Sequence, residues 1–139
     1  MAVTSAFCNS YKLELLSGLH ASNSSYKIAL YTGATQDSTT TRYTTLAEVV
    51  GSLYTAGGQV LNTIAFGQDV ATSWIDWTVD PSWPTSTISA QSCMVYDDTH
   101  AGKGALAVFD FGGTIASSNG TFTVTFPAAA AATALLRIA

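Results

Sequence analysis

Hydrophobic and polar positions alternate without error in Thr121-Phe122-Thr123-Val124-Thr125-Phe126, which puts Phe122, Val124 and Phe126 on one face and three threonines on the other. This is the pattern of a half-buried strand. Residues 105–111 are apolar at nearly every position and predict a central strand covered on both faces. The two are expected to form a hairpin, residues 104–111 against 121–126, around a Gly/Ser-rich turn at 112–120. Shorter alternating runs predict further strands at 26–32, 59–66, 74–79 and 93–96. The loop 97–104 has the glycine content and length of a hairpin connection into the central strand.

One helix is predicted, over residues 4–19. Phe7, Tyr11, Leu15 and Leu19 recur at a spacing of four, Thr4 or Ser5 can cap the first turn, and Gly18 suits the end. The stripe Phe7, Tyr11, Leu15 must bury against this domain's sheet or against a neighbouring subunit. Residues 45–50 predict a short helical or irregular piece that carries Leu46, Val49 and Val50 inward. Gly57-Gly58 predicts a turn with positive φ values, and Gln59-Val60 after it is not the Lys-Ser/Thr continuation of a phosphate loop. Past Pro127 the alanine run 128–132 leaves helix and strand both open.

The predicted fold is therefore all-β: a jelly-roll-like antiparallel β-sandwich of about seven or eight short strands with one N-terminal α-helix. It forms one domain, 1–139, with the helix at 4–19 and the sandwich at 26–139. A chain of 139 residues can bury roughly 65–70% of the surface its unfolded state exposes, so it needs no staple. Charged residues are only 10% of the sequence, against about 25% in ordinary domains. Lys12, Lys27, Arg42, Lys103 and Arg137 lie singly among nine acids, so there is no basic patch for nucleic acid. No apolar run is long enough to span a bilayer and no secretory leader is recognisable, which predicts a soluble protein made in the cytosol and no membrane partner. So weakly charged a surface suits a component of an assembly.

The candidate chemistry is sparse. Cys8 and Cys93 are expected to be buried free thiols. Asp97, Asp98 and His100 share a loop and are read as a solvated turn with Asp caps, while His20 is read as a residue complementing the helix C-terminus. Trp74, Trp77 and Trp83 lie near Asp76 and Asp80, and exposed indoles beside carboxylates can form a sugar platform. Period two puts Trp74 and Trp77 on opposite faces, so the three indoles cannot share one platform and core or subunit contact is the leading reading. No nucleophile set, paired carboxylates or metal cluster can be assembled, so no enzyme activity, cofactor or metal is expected.

The stretches Tyr26-Lys27-Ile28-Ala29-Leu30-Tyr31-Thr32, Tyr54-Thr55-Ala56-Gly57-Gly58, Ala107-Val108-Phe109-Asp110-Phe111-Gly112 and Leu136-Arg137-Ile138 together resemble a family of small tailed-bacteriophage virion proteins. Within it the resemblance is greatest to jelly-roll capsid cement, or decoration, proteins. The resemblance implies a last strand at 135–138 and a bacteriophage virion protein on the capsid exterior, made in the host bacterial cytoplasm. It also implies two partners, the major capsid protein and a second copy in a homodimer. The candidate protein contacts are Phe7, Tyr11 and Leu15 on the helix and Thr35, Gln36, Asp37, Arg42 and Tyr43 in the polar loop, with little salt dependence expected. The alternatives are a tail or fibre component, or a carbohydrate-binding module using Trp74, Trp83 and Asp76.

Overall fold

A computed structural model of the chain describes residues 5–21, 24–33 and 36–138. In chain order the elements are β1 (Ala6–Phe7), α1 (Asn9–Leu16), β2 (Tyr26–Tyr31), β3 (Gln59–Val60), β4 (Ile64–Asp69), β5 (Thr72–Trp77), β6 (Ser82–Ser86), β7 (Ser89–Asp97), β8 (Ala105–Ala116), β9 (Gly120–Thr123) and β10 (Leu136–Ile138). Their ladders are antiparallel and form three sheets, ordered β1-β8-β7-β2-β3, β10-β5-β4 and β6-β9. The architecture is the predicted all-β sandwich with one N-terminal helix. Trp77 of β5 joins the layers: its ring meets Tyr26 of β2 edge-on at 5.4 Å and lies 6.4 Å from Phe126.

The predicted hairpin is not formed. β8 runs on to Ala116 and pairs with β7, while β9 pairs with β6. Glycine at 112 bends the strand without reversing it: Gly112 has φ 78°, and the register passes from Ser92↔Asp110 to Ala90↔Ile115, so Gln91 alone faces residues 111–114. Ile88 and Ser117 then exchange both backbone hydrogen bonds, which makes β6–β7 and β8–β9 the two arms of one long, bent hairpin. Its tip is the loop 98–104, within the predicted connection 97–104, and β6 begins at Ser82. The expected face of Phe122 and Phe126 does point into the core, with Val124 half-buried.

The helix is shorter than predicted because the chain before it enters the sheet. Ala6 and Phe7 pair with Val108 and Ala107, and Cys8 occupies the cap position with no side-chain cap bond. Instead the Asn9 N–H donates to the Ser38 carbonyl at 2.7 Å, and Ser5 Oγ accepts from Asp110 N. Thr4 lies outside the described residues. At the other end Gly18, with φ 73°, donates to Leu15 O while Leu19 donates to Glu14 O, a Schellman closure.

Other expectations are corrected by the packing. Of the three apolar residues of 45–50 expected inward only Val49 is buried; Ala47 adopts φ 58°, and Leu46 and Val50 lie outside. Glu48 is buried there: it accepts from the Tyr43 and Tyr54 hydroxyls and from Gly57 N, which ties the loop to the body. Thr63, at φ 57°, divides the predicted strand 59–66 into β3 and β4. The alanine run forms turns, and β10 follows it as a strand paired with β5. Cys8 and Cys93 are both buried and unpaired.

Candidate functional site

α1 is apolar on more than one side. Tyr11 is buried and Leu15 partly so, but Leu13 is 67% and Leu16 is 90% exposed. A short helix with this pattern leaves apolar surface unburied. Beside it runs β10, whose Ile138 is 55% exposed. Between them lies a groove of about 530 Å³ lined by Phe7, Tyr11, Leu15, Leu16 and Ile138, with Lys12 and Arg137 also in the lining. An adjoining hollow of about 160 Å³ continues past Leu136 and Ile75 to Phe66 and Trp74. Phe7 and Tyr11 stack at 5.9 Å, and burial pushes the Tyr11 phenol above its ordinary range. Phe7 of β1 and Tyr11 and Leu15 of α1, predicted as contacts on one helical stripe, therefore meet in one place.

The loop residues do not join them. Gln36 is buried, and Tyr43 stacks on Tyr96 at 4.7 Å while donating its hydroxyl to Glu48, so both serve the body of the domain. Asp37 holds its own turn by accepting from Thr39 Oγ1 and Thr39 N, and these bonds lower its carboxyl below the usual range. Arg42 is exposed and bridges Gly104 through its backbone. Thr35 lies outside the described residues. The polar loop lies along the hairpin tip, with Tyr43 N bonded to Lys103 O and Ala105 N to Thr41 O.

The sugar platform is not assembled either. Trp83 is buried, 6.0 Å from Phe122 and 5.9 Å from Tyr54. Asp76 is fully buried and accepts from the backbone N–H groups of Trp77 and Leu135, with burial holding its carboxyl above the usual range. Trp74 faces Gly67 across the β4–β5 ladder, and its indole occupies the space where a Cβ on Gly67 would sit.

An ionic cluster beneath α1 escapes the sequence reading. His20 is buried, with Nε2 2.6 Å from Glu14 Oε2 and Nδ1 2.9 Å from Asp97 Oδ2. Asp97 is buried as well, and its other oxygen accepts from Thr99 N and His100 N. The His100 ring meets that of His20 edge-on at 5.7 Å. A spacing of six residues between Glu14 and His20 is not a helical neighbour spacing; only the reversal at Gly18 brings them together, so no local pattern announces the contact. Asp98 stays at the surface, bonded to Lys103 and 3.2 Å from Lys27, and these two cations hold its carboxyl below the usual range.

Burial pushes both thiols up to about 12, with Asp37 and Glu14 adding to the effect at Cys8. Neither is a reactive nucleophile in this state. Among the described residues no group of three or more His, Cys, Asp or Glu side chains is placed to hold a metal ion, and no helix is long and apolar enough to cross a membrane. Set against known proteins, the chain matches no family model, no curated protein and no solved structure.

Proposed function

We propose that this protein is a non-enzymatic cement, or decoration, protein that binds the outside of a tailed-phage capsid through the major capsid protein and stabilises the particle. The observation that carries the reading is the open apolar groove between α1 and β10, where Phe7, Tyr11, Leu15 and Leu16 present a contact face on a rigid sandwich. The sequence resemblance supplies the capsid as partner and a homodimer as the assembled form. A weakly charged protein that buries apolar surface on several neighbouring subunits gains from multivalency even where each contact is modest. A carbohydrate-binding role has no comparable support, since Trp83 and Asp76 are inside the protein.

The test is co-sedimentation with purified mature shells. Saturable binding that raises the temperature or pressure at which the shells open is the expected result. No binding to mature shells, or localisation to the tail by electron microscopy of the particle, overturns it.

A further inference from the structure

The chain carries only five basic residues, and the structure divides them by partner. Lys27 and Lys103 are both committed to Asp98 at the hairpin tip, and Arg42 is exposed beside that tip, away from the groove, bridging Gly104 through its backbone. Lys12 and Arg137 have no ion-pair partner among the described residues: Lys12 reaches only Asn9 Oδ1, at 3.4 Å, and Arg137 donates to the Ala132 carbonyl at 2.6 Å. Both line the same groove, one from α1 and the other from β10, with the exposed Leu16 and Ile138 beside them. In a protein of net charge −4, this places at an apolar surface two cations that no carboxylate among the described residues pairs.

From this juxtaposition we infer that the groove receives an amphipathic, acidic peptide segment of a protein partner, with apolar residues against Phe7, Leu15, Leu16 and Ile138 and carboxylates toward Lys12 and Arg137. The inference rests on the reading of this groove as the docking face and adds the chemistry of what enters it. Apolar burial supplies the affinity. The two cations select sign and orientation, since exposed ion pairs contribute little energy but steer encounter and disfavour a basic competitor. A lipid surface is the weaker match, because recognition of anionic headgroups draws on a cluster of basic residues where this groove offers two. Binding here carries the salt dependence of those two charges, more than an uncharged contact face would show.

The test selects a random peptide library on the immobilised full chain and measures synthetic copies of the selected peptides by fluorescence anisotropy. Selected sequences are expected to combine Leu, Ile or Phe with Asp or Glu. Their affinity should fall roughly tenfold for the double variant Lys12→Glu/Arg137→Glu and about tenfold for Leu16→Ser. Leu46→Ser, on a separate exposed loop, should leave it unchanged. The substituted side chains are exposed, and matching thermal midpoints check that each variant is folded. Selection without enrichment in acids, equal binding by the double variant, or stronger binding to anionic vesicles overturns the inference. A chain that binds shells but selects no acidic peptide refutes this inference alone, whereas one that selects acidic peptides but ignores shells refutes the cement reading alone.

Discussion

His20 Nδ1 stands 2.9 Å from Asp97 Oδ2, and that contact joins the turn after α1 to the end of β7 across 77 positions of sequence. With Glu14 on the other ring nitrogen, the imidazole is held between two carboxylates inside the protein. Removing the ring leaves Asp97 buried and facing Glu14. His20→Ala is expected to lower unfolding free energy by about 3 kcal/mol, read by urea denaturation, and to loosen α1 before the sheets, read by amide exchange at Tyr11 and Lys12.

Gly58 is expected to tolerate no side chain. Its φ is 74°, and a Cβ there would lie 1.8 Å from the carbonyl oxygen of Ile28, a backbone atom of the adjacent strand β2 that cannot swing away. Gly58→Ala should cost about 3 kcal/mol or more through strain and displacement of β3. Gly112→Ala has open space around it and only its φ to resist, so it should cost less. Thermal midpoints of the two variants decide the ranking.

Acid should reach the hairpin tip only at low pH. Asp98 is held below its ordinary value of 3.8 chiefly by the bond to Lys103, then by Lys27. A carboxyl whose folded value is depressed stabilises the fold above 3.8 and loses that contribution as pH falls through the lowered folded value. Asp98→Asn should therefore flatten the acid limb of the stability curve below pH 3.8 and lower stability near neutrality by the same amount, which is small because exposed pairs are weak. An unchanged acid limb by circular dichroism counts against it.

The two outer tryptophans should separate cleanly. Trp83→Ala opens the core between Phe122 and Tyr54 and is expected to cost about 3–5 kcal/mol. Trp74→Ala uncovers Gly67 and part of the shallow hollow, for about 1–2 kcal/mol. Neither variant should alter binding on a glycan array, whereas a loss of sugar binding confined to the two would restore the carbohydrate reading.

Much of the fold is legible in local pattern. Alternation places Phe122 and Phe126 inward, apolar continuity marks residues 105–111 as a covered strand, of which 105–108 are buried while Asp110 is exposed, and the glycine-bearing loop after Tyr96 is a hairpin tip. What local pattern cannot supply is pairing. The choice of β7 over β9 as partner for β8 depends on the bulge opposite Gln91, and glycines at 112 and 113 look the same in a turn and in a bulge. At the groove, Phe7, Tyr11 and Leu15 are visible as a stripe, but Ile138 and Arg137 reach it only through the β10–β5 ladder. The Glu14–His20–Asp97 contacts need both the Schellman reversal and the β7–β8 tip, so they belong to tertiary structure alone.

The groove is assembled from residues 7–16 and 136–138, and β1 finds its ladder only when Val108 is in place. Pairings of such long sequence separation form late and slowly, because loop closure precedes any reward from contact. During synthesis the segment 6–16 leaves the ribosome well before the strands that will hold it, and its leucines stay uncovered for that interval. The groove thus works as an indicator of folding: a partner that required all of it would engage only molecules whose central hairpin and last strand have already closed.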